Sequence, residues 1–378
     1  MRILVLNYEF PPVGGGGGRV AEDICIGLAK IGHEVRVQTA HWNGLPRVEQ
    51  KDGYTIFRSW SLRRHAHTCS VGEMGAFIVT NLLPALKHAV TWKPQVIHVH
   101  FAVPTGVLAW AVSNITGIPY VLSTQLGDVP GGVPDQTDHL FRVVKPLTKP
   151  IWKNAASVTV PSEHIRRMAL SSYDTSIETV PNGIALDSIQ QSPPEPHKPG
   201  RLVFAGRFNP QKNLIFLVRV LERISDLDWV MDILGDGPMR PQVVEEVRKA
   251  GLENRVHFHG WVEPGMVEDV MSRSDILFLP SLSEGLPVVG VRALAAGLAI
   301  VGSDVGGIDD CVNNGKNGFL CRVNDFEPFE NALRTLLTSD ECLTSMKQES
   351  RKFAEKFDIR TVVARFEKMF QAAALSKK

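Results

Sequence analysis

Short β-branched runs alternate with amphipathic helical stretches along most of this chain, and the alternation starts twice. In the first half the strand candidates are Ile3–Leu6, Val35–Thr39, Tyr54–Arg58, Val96–His100, Tyr120–Ser123, Ser157–Val160 and Glu178–Val180. A helix between the first two, roughly Val20 to Ile31, stops at Gly32 as at a C-cap. The pattern restarts near Arg201 with Leu202–Ala205, Val230–Leu234, Val256–His259, Ile276–Leu279 and Ala299–Val301. Strands spaced by helices in this way form parallel sheets with helical layers. Between the halves, Gln190–Gly200 holds four prolines in eleven residues, which continue neither sheet nor helix. The expectation is two α/β domains, 1–188 and 201–358, joined by a linker over 189–200. Ile359, Val362, Val363, Phe366, Met369, Phe370 and Ala373 then share one face of a final helix, 359–375.

At 378 residues and 44% hydrophobic content the chain is long and apolar enough for two cores. The 41 basic residues against 40 acidic ones give no electrostatic case for nucleic acid. Cys25, Cys69, Cys311, Cys321 and Cys342 are scattered and odd in number, which reads as reduced thiols in a cytosolic protein. Met1 runs straight into a strand, so no signal peptide is expected, and no apolar run reaches the length of a membrane span. The expected location is the cytoplasm. Arg58–His65 and Arg142–Lys153 mix basic residues with tryptophan, leaving peripheral contact with the inner face of a membrane open beside a plain solvated surface.

Three loops carry the chemistry. The apolar run Asp275–Pro280 leads into a polar turn with one carboxylate, Glu284, and a Gly-Leu-Pro step opens a helix that stops at Gly297. Such a unit aims backbone N–H groups and a positive helix end at one spot, which suits a phosphate, while the carboxylate suits hydroxyl groups. Ala205-Gly-Arg-Phe-Asn-Pro-Gln-Lys-Asn213 places Arg207 and Lys212 on the loop after a strand, where both can neutralise a diphosphate. Gly14 to Gly18 follow the first strand and permit close approach to a ligand. A dinucleotide site would also want an acidic residue closing the second strand, and that strand ends Val37-Gln-Thr-Ala40. A dehydrogenase is therefore disfavoured.

The segment from Glu284 to Pro287 resembles the nucleotide-sugar motif of retaining GT-B glycosyltransferases, glycosyltransferase family 4, with Arg292 in place of the second Glu at the x7 spacing. Gly206-Arg207…Lys212 is similar to that family's paired cations. Further matches keep the family's order: Val180-Pro-Asn-Gly-Ile184, Leu234-Gly-Asp-Gly-Pro238, Val256-His-Phe-His-Gly-Trp-Val262, Val305-Gly-Gly-Ile308 and Asn317-Gly-Phe-Leu320. The resemblance implies two Rossmann-like domains facing across a cleft, with the last helix crossing back onto the first domain. Closure about Asn182-Gly183 and the proline linker would then exclude water.

The same resemblance assigns roles. Glu284, Arg207 and Lys212 are the implied catalytic set. Gly15, Gly16, Gly17, Asn182, Gly206, Gly235, Trp261, Val262, Gly285, Leu286, Pro287, Val288 and Arg292 are implied to touch the donor. On the acceptor side it implies His100, Gly127 and Asp128, with Gln125 or Leu126, depending on register, where the family often has a histidine. The implied co-substrate is a nucleoside diphosphate sugar, UDP favoured, and no separate cofactor or metal is expected. The implied acceptor is a saccharide or a lipid-linked sugar in polysaccharide or glycolipid synthesis, and the expected transferred group a hexose.

Some alternatives stay open. His98 and His100 share a strand face and fit buried hydrogen-bonded residues, site lining or a metal pair. Asp226-Leu-Asp228 spells a metal-binding Asp-x-Asp but sits just before a strand, and reads as a turn. Arginine accepts no hydrogen bond, so Arg292 cannot hold ribose hydroxyls as a carboxylate does. It donates to ribose or phosphate, compensates a more anionic donor, or marks a degraded site. A GT-B nucleotide-sugar epimerase and a non-catalytic sugar-nucleotide binding protein are the competing classes.

Overall fold

The computed structural model describes residues 1–65, 69–133 and 148–376. Residues 142–147 of the basic segment Arg142–Lys153 thus lie outside the described residues. The chain forms two compact units, Met1–Gly183 with Ile359–Lys378, and Ile184–Asp358.

The first unit is built on an eight-stranded sheet: β1 (Arg2–Leu6), β2 (Glu34–Ala40), β3 (Val48–Lys51), β4 (Tyr54–Ser59), β5 (Val96–His100), β6 (Tyr120–Ser123), β7 (Ser157–Val160) and β8 (Ile177–Thr179). Their order is β3-β4-β2-β1-β5-β6-β7-β8, and every neighbouring pair is parallel except β3–β4. Ile3 to Leu6 are fully buried, as expected of a central parallel strand covered on both faces. β3, Val-Glu-Gln-Lys, has no apolar pattern because it is an edge strand. Its signal is the Asp52-Gly53 turn, both residues with positive φ (46° and 84°), which closes a hairpin onto β4.

The first helix spans Gly16–Lys30 and begins four residues before the expected Val20, inside the glycine run. The run is therefore only partly a loop. Glycine is demanded there by close packing: a Cβ at Gly18 would lie 2.5 Å from the Glu9 carbonyl oxygen, and one at Gly17 2.7 Å from the Phe101 ring. The last helix, Ile359–Leu375, belongs to the first unit. A Cβ at Gly27 would lie 2.5 Å from a Val363 methyl, so the last helix packs its side chains directly onto the backbone of the first helix there. Arg365 donates to the Thr179 carbonyl at 2.6 Å, and Phe366 and Phe370 flank the His98 ring.

The second unit holds six parallel strands: β9 (Gly200–Ala205), β10 (Trp229–Leu234), β11 (Val256–Gly260), β12 (Ile276–Leu279), β13 (Ala299–Ser303) and β14 (Gly318–Cys321), ordered β11-β10-β9-β12-β13-β14. β14 was not expected, being a short run beginning at a glycine.

The linker expected over 189–200 is instead strapped to this unit. Ser192 N–H donates to Ala296 O (2.8 Å), its hydroxyl donates to Ser274 O (2.6 Å), and His197 meets Asp275 at 3.0 Å. Lys347, fully buried, donates to Asp275 (2.7 Å) and to the Ser192 hydroxyl (3.1 Å). Prolines bar this segment from the sheet, but its polar groups are paired against the unit, as buried polar groups must be.

Candidate active site

In the second unit the strand order reverses direction at β9. The chain steps from β9 through β10 to β11 on one side, then returns to β12 on the other. Loops leaving the carboxyl ends of β9 and β12 diverge at such a switch point and make a crevice for a ligand. The loop after β9 carries Arg207 and Lys212, and the loop after β12 carries Glu284.

These two loops are fastened together. Lys212 Nζ donates to Glu284 Oε1 at 2.5 Å, and the Ser281 hydroxyl donates to the same oxygen at 2.8 Å. Gln211 Nε2 donates to Ser283 O (2.7 Å), and Leu282 N–H returns a bond to Gln211 O (2.8 Å). Glu284 is buried and Lys212 largely so. A nearly buried carboxylate and ammonium at this distance hold each other in place. The Lys212 stem packs against Gly206, where an added Cβ would make ordinary contact with Cε at 3.5 Å and a tighter one with the Phe204 ring at 3.1 Å.

Glycine pairs set the backbone beneath them. Gly235 has φ +127°, and a Cβ there would fall 1.9 Å from Gly206 O. Gly307 has φ +89°, and a Cβ there would fall 1.5 Å from Gly285 O. The loop after β13 thus buttresses the loop that holds Glu284. The helix Val288–Ala296 then begins at Pro287, and its first internal bond is from Gly290 N–H to Pro287 O. The N–H groups of Val288 and Val289 precede that bond and have no intrahelical acceptor. Trp261 is exposed and Val262 half-buried just past β11.

Arg292 is buried on this helix and donates to Glu268 on the helix Pro264–Met271. Sequence reasoning missed Glu268. The available signal was that a buried arginine needs an acidic partner from another element.

Asn182, buried, lies in the first unit, beside Gly183. A Cβ at Gly183 would approach Ile359 to 2.8 Å. In the same unit a second cluster forms around the glycine run. Glu9 accepts the Gly15 N–H at 3.2 Å, and Gln125 lies beside Gly17, 3.7 Å from a Cβ placed there. Asp128 accepts N–H bonds from Ala102 and Gln125, both at 2.8 Å. Burial nevertheless pushes its carboxyl up to about 7, with Glu9 adding to the shift. Leu126 is buried in the core, whereas Gln125 is the side chain beside the glycines. Gly127 is exposed, and a side chain there would meet nothing within 4 Å, so no close approach requires glycine.

His98 and His100 are buried with ring centroids 4.3 Å apart. His98 shares a hydrogen bond with the Ser123 hydroxyl at 2.8 Å, whereas His100 Nε2 has no partner among the described residues. Burial holds His100 down to about 3, and His98 well below the usual range. Among the described residues no group of three or more His, Cys, Asp or Glu is placed to hold a metal ion. Asp226 is an exposed partner of Arg334, at 2.8 and 2.9 Å.

Comparison with known proteins decides the family. Residues 187–353 match Glycosyl transferases group 1, and residues 14–188 match Glycosyltransferase Family 4. The chain belongs to the GT-B glycosyltransferases. This glycosyltransferase is 26% identical over 314 residues to the 2-deoxystreptamine glucosyltransferase of Streptomyces kanamyceticus, covering 75% of this chain and 80% of that one. It is 24% identical over 397 residues to the glycogen synthase of Mycobacterium tuberculosis, covering 99% and 95%. In fold it is similar to the sucrose-phosphate synthase of Thermosynechococcus elongatus, with TM-score 0.83, 19% identity and 98% of each chain covered. It is also similar to Anabaena HepE in complex with UDP and glucose, with TM-score 0.77, 18% identity, and 98% and 99% covered.

Proposed function

We propose that this glycosyltransferase moves a hexose from a UDP-sugar to a saccharide or lipid-linked acceptor, with retention of configuration and without a metal. The observation that carries the reading is the Lys212–Glu284 pair, which fastens the two loops of the switch point together. A fixed cation beside a helix start suits the diphosphate that leaves in such a transfer. Arg207 and Lys212 take up its developing charge, and the N–H groups of Val288 and Val289 add to the field. Glu284 orients sugar hydroxyls while keeping Lys212 in place.

Glu284 is engaged by Lys212 and Ser281, so it is a poor nucleophile. That favours a same-face transfer in which the leaving phosphate oxygen takes the acceptor proton. UDP and a hexose are favoured by the HepE complexes, which hold UDP with glucose and UDP-glucose.

The test is calorimetry and thermal shift with UDP, GDP, ADP and their common sugars, with and without magnesium, followed by NMR of the product anomer. A shift with UDP-sugars that ignores magnesium, and an axial product from an axial donor, is the expected result. Lys212→Met should lower kcat by about a hundredfold or more. No shift with any nucleotide overturns the reading.

A further inference from the structure

We propose that the first unit docks on an anionic lipid surface through the outward face of the helix Val71–Lys87 and the segment Trp60–Arg64 beside its start. The helix buries Phe77, Asn81 and Ala85 toward the sheet, and Asn81 is fixed by Gln38 at 2.7 Å. Its opposite face should be polar on a surface helix, but it is apolar. Val79 and Leu83, one turn apart, are 75% and 76% exposed. Val71 and Val90 extend the stripe at 64% and 62%. Trp60 and Leu62 are also half exposed, and the Arg64 N–H donates to Glu73 at 2.8 Å, which ties that segment to the helix start.

Charge selects the occupant. From Trp60 to Lys93 the chain carries Arg64, Lys87 and Lys93 against the single acid Glu73, while the Arg63 side chain is buried beside Glu9. Both carboxylate oxygens of Glu73 accept backbone N–H groups, of Arg64 and Ser70. Arg64, Lys87 and Lys93 are exposed. An apolar stripe flanked by cations, with an exposed tryptophan at one end, has the form of an interfacial helix lying in a headgroup layer. A second copy of the same face would set like charges against each other, which is unfavourable. An anionic bilayer supplies the missing counter-charge and covers the apolar stripe together.

The proposal does not rest on the donor reading, because its test needs no nucleotide. The full chain is floated with vesicles of phosphatidylcholine alone and with added phosphatidylglycerol. Binding to the anionic vesicles that weakens with salt is expected. Val79→Gln with Leu83→Gln should weaken it by about tenfold or more, at an unchanged melting temperature and nucleotide affinity. Lys87→Gln with Lys93→Gln should weaken it similarly and flatten the salt dependence. Three results overturn the proposal: no binding of the unaltered chain to anionic vesicles, equal binding by the Val79/Leu83 variant, or a dimer in light scattering that this variant abolishes.

Discussion

Arg292 donates to Glu268 across two helices of the second unit, so this buried cation has an acidic partner on a neighbouring element. The two side chains form an ion pair, so a change of charge at Arg292 acts on Glu268 as well. Of the two, Glu268 is the more open to solvent.

Arg292→Glu alone would place two carboxylates together. Urea denaturation should show a loss of about 2 kcal/mol, less than for a fully buried pair because Glu268 reaches solvent. The reciprocal variant, Arg292→Glu with Glu268→Arg, should recover most of that loss. Equal stability of the single and reciprocal variants would show that the pair contributes nothing.

Most of the fold was readable because each central strand is a run such as Ile3–Leu6 or Ile276–Leu279, buried on both faces and therefore apolar throughout. The edge strand β3 escaped, since one-sided pairing imposes no such pattern. Arg207, Lys212 and Glu284 stood out as charges on loops after strands. What could not be read was pairing at a distance. Glu268 lies 24 residues from Arg292, and Lys347 lies 72 from Asp275. Nor could the sequence tell that glycines 16 to 18 begin a helix, because Gly17 and Gly18 admit the Phe101 ring and the Glu9 carbonyl, contacts that only the fold creates.

Lys347→Met should cost about 3–5 kcal/mol, because it leaves a fully buried Asp275 short of its main countercharge. Burial alone would raise the Asp275 carboxyl. Lys347 and His197 outweigh it and hold the group below its usual range. Lys352→Met, removing an exposed i,i+3 pair with Glu349, should fall within about 0.5 kcal/mol of the parent. Guanidinium titrations of the two variants make the comparison, and a small effect at Lys347 would show that the strap at Ser192 does not depend on it.

Asp128 predicts a pH dependence of definite sign. Its folded carboxyl titrates at about 7, against an ordinary value of 3.8. The folded state therefore binds the extra proton between those values. The group's contribution to stability is full below about pH 4 and is lost as pH rises toward 7. His98 and His100, held neutral by burial, act in the opposite direction as pH falls below the usual histidine range. The raw profile mixes the two effects, so the readout is the difference between parent and Asp128→Asn. The asparagine loses one N–H acceptor and should be less stable at low pH. The gap should close as pH is raised to 7 and beyond, and a constant gap would count against the raised carboxyl.

Gly307 and Gly315 separate close approach from backbone conformation. Both have positive φ, 89° and 77°, so alanine at either is strained by about 1 kcal/mol. A Cβ at Gly315 meets nothing within 4 Å, whereas one at Gly307 would overlap Gly285 O. Gly315→Ala should therefore lower the melting temperature slightly and leave nucleotide binding alone. Gly307→Ala must push the loop holding Glu284 and Gly285 away, and this loop is bonded to Lys212 and Gln211. Donor affinity should fall by about tenfold or more, because catalytic and binding groups tolerate little displacement. Calorimetry with the donor that binds the parent chain measures both variants. Equal donor affinity in the two would mean that the buttress under the Glu284 loop is not what sets its position.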